Sequence, residues 1–143
     1  MAINPYATPK AEVSDRPAGD AAPALWNPAA AGSWSIVFTP IFGSYLTKRN
    51  WEAIGEDDKV RSSRNWMILS ILMLLLSIIG GIGLIYLIVW YFAVNRPQIQ
   101  YVKQRWGKDY PRQPWGKPLG IAFVLWLIPT GLILVYIFSA LPR

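Results

Sequence analysis

A run of 29 residues from Trp66 to Val94, WMILSILMLLLSIIGGIGLIYLIVWYFAV, carries no charged side chain. A stretch of about 18 or more apolar residues reads as membrane-embedded, because no small protein can cover that much apolar surface in water. The run is longer than one crossing needs. As a straight helix it would extend about 43 Å, against a hydrocarbon core of about 30 Å. Two readings fit: one strongly tilted span, or two short arms folded back at Gly80-Gly81-Ile82-Gly83, where clustered glycines weaken a helix and permit a tight turn. A third use of the same residues is a close helix-packing face, with Ser77 and Gly81 as a small-xxx-small pair.

The flanking charge favours the hairpin. Residues 47–65 hold Lys48, Arg49, Lys59, Arg61 and Arg64, and residues 95–118 hold Arg96, Lys103, Arg105, Lys108, Arg112 and Lys117. Short loops rich in Lys and Arg stay on the cytoplasmic side. A single span would separate these two loops, whereas a hairpin keeps both inside.

The chemistry is bounded by what the sequence lacks. It has no cysteine and no histidine. Thiol nucleophiles, thiolate metal sites and imidazole bases are therefore unavailable. The net charge of +6 is accounted for by the topology signal and by anionic headgroups, each juxtamembrane cation being worth about 1 kcal/mol. No nucleic-acid module is recognisable, so nucleic acid is not expected as a partner.

Residues 1–24 are rich in Pro and Ala and read as a disordered tail. Residues 25–143 read as a single membrane domain. Trp26 and Trp34 suit the headgroup layer, and Asn27-Pro28 is a turn or helix-start signal. A helix is expected over 34–54. Thr39-Pro40 supplies an N-cap and a proline at the first helical position, and Gly55 supplies the stop. Its apolar part is short, so it either lies at an angle in the interface or is a span kinked at Pro40. Glu56, Asp57 and Asp58 favour a helix start rather than a metal site. A hairpin or long helix is expected over 57–106, its last part amphipathic through Ile99, Val102 and Trp106 and ending at Gly107. A span is expected over 118–140, with a kink at Pro129 beside Gly131.

No uncharged segment carries an acidic or basic residue, which a proton relay or charged-ligand site would need. The residues singled out are of two kinds. Ser77, Gly80, Gly81, Gly83, Pro129 and Gly131 are helix-packing candidates. Lys48, Arg49, Lys103, Arg105, Lys108, Arg112 and Lys117 are candidates for lipid headgroups. No catalytic, cofactor or metal residue is assigned.

Leu25-Trp26-Asn27-Pro28-Ala29-Ala30, Trp34-Ser35, Phe38-Thr39-Pro40-Ile41-Phe42-Gly43-Ser44-Tyr45-Leu46, Asn50-Trp51 and Gly55 form a pattern. With Trp90-Tyr91-Phe92, Arg96-Pro97-Gln98, Tyr110 and Trp115, it resembles an uncharacterised family of small bacterial inner-membrane proteins. The resemblance covers most of residues 25–118 and brings no catalytic residue. It implies a multi-pass protein of the bacterial inner membrane. Through members that accompany interbacterial toxin genes, it also implies an immunity role. The middle apolar region is shorter here than in those proteins, which bears on the two-crossing assignment.

The expected fold is thus an all-α integral membrane protein with about three to four embedded helices, including a Gly-turned hairpin, behind a disordered tail. The expected function is non-enzymatic and works through helix–helix contacts, most concretely as an immunity-type protein against a membrane-targeting toxin. The alternatives are an accessory subunit of a transport or envelope complex, or a membrane-shaping hairpin protein. Partners would be membrane lipids and a membrane protein or toxin, with self-association open.

Overall fold

The computed structural model describes residues 21–76 and 82–140, with the side chains of Leu75, Pro129, Leu132, Ile133 and Ala140 left aside. The first twenty residues of the expected tail, and Ser77, Gly80 and Gly81, lie outside the described residues. Regular structure is helical: α1 (Pro28–Ile54), α2 (Asp57–Leu76), α3 (Ile82–Trp90), a π-helical turn (Tyr91–Asn95), α4 (Arg96–Trp106) and α5 (Gly116–Ala140). One isolated parallel bridge joins Leu25 to Arg112.

Helix α1 is not one tilted rod over 34–54. It starts earlier, at Pro28, where the Asn27 side chain accepts from the Ala29 N–H and Pro28 occupies the first turn. It then breaks at Phe38 (φ −103°, ψ 15°) and Thr39 (φ 72°, ψ 160°), and restarts at Pro40. Residues 28–37 and 40–54 become two antiparallel arms. Ala31 shares a core with Phe42 and Leu46, and the Asn50 side chain reaches the backbone of Trp26. In a straight helix those last two residues would lie about 36 Å apart. Thr39 is the one non-glycine residue with positive φ among the described residues. Its backbone strain, of order 1–3 kcal/mol, is borne where the following proline already excludes helical geometry. The second arm stops at Gly55, whose φ of 87° suits a left-handed cap.

Helix α2 opens with Asp57 and Asp58 in its first turn, where negative charge favours a helix start. Helices α2 and α3 run antiparallel. The Ser70 and Tyr86 hydroxyls lie 2.8 Å apart, and Tyr86 Oη also donates to the Trp66 carbonyl at 3.3 Å. The two helices thus point in opposite directions, as a hairpin requires of its arms.

The π-turn has a local cause. Pro97 has no N–H to return to the preceding turn, and the Arg96 N–H bonds to the Tyr91 carbonyl, five residues back. A consequence is register. Trp90, Val94, Gln98, Val102 and Trp106, each four apart, are all buried. In a pure α-helix each step of four drifts by about 40°, and the wider turn slows that drift. One continuous inward stripe results, ending at Gly107 (φ 65°).

Helix α5 runs without interruption from Gly116 and packs on Ala31, Phe42 and Leu46 through Ala122 and Leu119, with Trp115 just ahead of it joining the same cluster. Among the described residues, one helical run, Ile82–Trp106, is long and apolar enough to cross a membrane, and Gly116–Ile128 is a shorter apolar helix. Ile68, Leu72, Leu84, Ile85, Ile121, Leu125, Val135 and Phe138 are among many large apolar side chains left exposed on α2, α3 and α5.

Candidate functional site

The interior is held by amides and small residues rather than by aliphatic packing alone. Asn50, 1% exposed, accepts from the Trp26 N–H at 3.0 Å and donates to the Trp26 carbonyl at 2.8 Å and to Gln98 Oε1 at 3.1 Å. Gln98 Nε2 donates to the Thr47 carbonyl at 2.8 Å. One side-chain pair thus ties the segment before α1, the second arm of α1, and α4 together. Buried amides of this kind are stabilising only when paired, and here nearly all the pairing is with backbone.

A second joint lies one layer away. Asn95 Nδ2 donates to the Pro28 carbonyl at 2.9 Å, and its Oδ1, like Thr47 Oγ1, is buried without a hydrogen-bond partner among the described residues. A Cβ on Gly32 would fall 2.3 Å from Asn95 Oδ1, so Asn95 reaches its carbonyl only because residue 32 has no side chain. A third joint is Trp90, whose indole N–H donates to Ser44 Oγ at 2.7 Å. Its ring lies 2.3 Å from where a Gly43 Cβ would stand, and Ser35 Oγ lies 2.0 Å from the same point. Ser35 Oγ donates to the Ala31 carbonyl at 2.8 Å.

The small residues that let helices approach are therefore Gly32, Ser35, Gly43 and Ser44. The sequence signal for them was the small-residue run Ala29–Ser33 facing Gly43-Ser44. Of the candidates named from sequence, Ser77, Gly80 and Gly81 lie outside the described residues, as does the side chain of Pro129. Gly83 lies half-buried on α3. Gly131 has nothing within 4 Å of where its Cβ would be, so it makes no close packing contact among the described residues.

The cationic candidates share one end of the molecule. The Leu25 N–H donates to the Pro111 carbonyl and the Gln113 N–H to the Leu25 carbonyl, both at 2.9 Å. The Trp26 indole donates to the Pro114 carbonyl at 3.1 Å. These bonds bring residues 107–116 beside the base of α1. Tyr101 Oη donates to Glu56 at 3.1 Å, bringing α4 beside the start of α2. Lys48 and Arg49 both pair with Glu52. The Lys48 hydrogen bond, opposed by partial desolvation and helped by Arg49, holds the Glu52 carboxyl below its ordinary range. Those two cations are therefore partly neutralised. Arg105 lies over the Trp106 and Tyr101 rings, and Arg112 over Tyr110. Burial, opposed by Arg112, raises the Tyr110 hydroxyl above its ordinary value. Lys103, Lys108 and Lys117 are exposed.

A groove of about 370 Å³ runs between the first arm of α1 and α3, lined by Gly32, Ile36, Leu87, Ile88 and Tyr91 among others. Its walls are mostly apolar. Among the described residues no cluster of three or more His, Cys, Asp or Glu stands where it could hold a metal ion. No family model matches the chain, and no curated protein or solved structure matches it.

Proposed function

We propose that this chain is a non-enzymatic, multi-pass protein of the bacterial inner membrane that acts through helix–helix contacts. One observation carries the reading. The charged segments gather at one end, and the exposed side chains of α2, α3 and α5 beyond that end are apolar. Such surfaces are stable facing lipid and costly facing water. In this reading residues 47–65 and 95–118 lie on the cytoplasmic side. The arms 28–37 and 66–76 each rise about 15 Å, roughly half the hydrocarbon thickness of about 30 Å. Helix α5, at about 37 Å, crosses fully. The run Ile82–Trp106 is long enough to cross, but Arg96, Lys103 and Arg105 occupy its second half. Its first half is engaged with α2, so it enters as a hairpin arm.

The most concrete form of this function is immunity against a membrane-targeting interbacterial toxin, through α5 or the hairpin arms. The resemblance of the 25–118 pattern supports it, together with the little-covered surface of α5. The test compares a deletion strain grown alone with the same strain in dense contact with its parent. Death only in contact, rescued by the plasmid-borne gene, is the expected result. An equal defect in both cultures replaces immunity with an accessory role in a membrane transport or envelope complex. The half-depth arms favour a second reading, a membrane-shaping protein; it fails if purified protein leaves liposome shape unchanged.

A further inference from the structure

Where α2 leaves its charged first turns, it faces a small polar pocket of about 70 Å³, formed with the π-turn and lined by Lys59, Ser62, Ser63, Trp51, Val94 and Pro97. A water needs only about 10–15 Å³, so the space admits a larger group. None of the lining residues is acidic. Ser63 is 2% exposed, and it lines the pocket beside the exposed Ser62. Lys59 is exposed and makes no ion pair among the described residues. Of the carboxylates at the start of α2, Asp58 pairs with Arg61 and Glu56 accepts from Tyr101, while Asp57 is exposed and, like the other two, does not line the pocket.

The depth of this pocket is set by register. Ser70 stands opposite Tyr86. Carried down the antiparallel pair, that register sets Lys59 opposite Pro97 and Ser63 opposite Ala93, both of which line the pocket. This is the level at which both helices pass from apolar to charged sequence. In a bilayer it is the level of the lipid phosphates.

We propose that Lys59, Ser62 and Ser63 form a binding site for one phosphate group, supplied by an anionic phospholipid of the cytoplasmic leaflet. The ammonium gives a charge-assisted hydrogen bond to a phosphate oxygen, and the two hydroxyls donate to others. Trp51 closes the floor against water. The site is separate from the surface cations on α4 and the 107–117 loop, and it rests on the membrane reading above.

The test uses the full-length chain in detergent, titrated with phosphatidylglycerol and followed by native mass spectrometry. Lys59→Gln is expected to weaken binding of the first lipid about tenfold, the loss of one charge-assisted contact. Arg64→Gln, which removes the same charge on the same helix outside the pocket lining, changes it less than twofold. Ser63→Ala weakens it without altering charge. Equal weakening by Lys59→Gln and Arg64→Gln overturns the site in favour of general attraction to a basic surface. A site that saturates with inorganic phosphate but takes no lipid overturns the lipid source. Flotation with phosphatidylglycerol vesicles separates the two levels of the argument. A chain that fails to float refutes the membrane reading itself, whereas one that floats with unaltered lipid binding in Lys59→Gln refutes the pocket alone.

Discussion

Asn50 pairs with the backbone of Trp26 as a neighbouring strand would, taking its N–H at 3.0 Å and giving to its carbonyl at 2.8 Å. A side chain twenty-four positions away thus satisfies a peptide unit that has no helix of its own. Replacing Asn50 with Ala strands both Trp26 groups and frees Gln98 Oε1. A buried group left unpaired costs about 1–3 kcal/mol. Asn50→Ala is therefore expected to destabilise by about 3 kcal/mol in total, measured by unfolding in detergent. Asn50→Asp keeps the acceptor but loses the donor, and should also destabilise.

Gly43 is the closest approach in the α1 hairpin. Gly43→Ala sets a methyl against both Ser35 Oγ and the Trp90 ring. Overpacking of this kind costs about 1–3 kcal/mol. Gly131→Ala meets open space and should stay within about 0.5 kcal/mol of the parent. Equal thermal midpoints for the two variants would refute the hairpin geometry.

Ser70 and Tyr86 join α2 to α3 through their hydroxyls. Hydrogen bonds between membrane helices contribute about 0.6 kcal/mol on average and up to about 1.7. A double-mutant cycle of Ser70→Ala and Tyr86→Phe should return a coupling of about 1 kcal/mol. A coupling of zero would mean that the two helices are not antiparallel at this level.

Glu52 gives a pH dependence with a definite sign. Its folded carboxyl titrates below the ordinary value of 4.5, chiefly through Lys48. A depressed carboxylate stabilises the fold above its unfolded value, and the contribution is lost as pH falls through the folded one. Midpoints measured from pH 6 down to about 3 should fall more for the parent than for Glu52→Gln. The difference will be small, because the carboxylate is one-third exposed and solvent screens its pairs.

Topology is directly measurable, because the chain has no cysteine of its own. Ser62→Cys and Gln104→Cys are both at exposed positions and should be labelled from the cytoplasmic side. Labelling from opposite sides would replace the α2–α3 hairpin with a single crossing.

The sequence made some of this architecture legible. The charge-free run, the start at Asn27-Pro28 and the stops at Gly55 and Gly107 all follow from local chemistry. So does the amphipathic helix through Val102 and Trp106. The direction of the chain after Phe38 does not. Thr39-Pro40 reads correctly as the start of a helix, but the same dipeptide serves a helix that continues outward and one that turns back. Only Thr39 φ decides between them. The polar joints were hidden for another reason. Asn50, Asn95 and Gln98 sit next to or near charged residues, and nothing local marks them as buried, since their partners, Trp26, Pro28 and Thr47, are distant in sequence. The large hydrophobic residues marked where lipid would be, and said little about which small residues the helices meet across.

The bridge between Leu25 and the 111–113 segment also has a meaning in time. Leu25 and Trp26 precede every described helix, yet the Pro111, Gln113 and Pro114 groups that hold them come almost ninety residues later. During synthesis the first arm of α1 emerges with its base unfastened; the second arm then supplies Asn50 and the Phe42 and Leu46 contacts, but not the bonds to Leu25. Contacts so distant in sequence form late and slowly. The clasp closes only when the loop before α5 has left the ribosome, so a chain truncated ahead of Pro111 would have both hairpins and no latch.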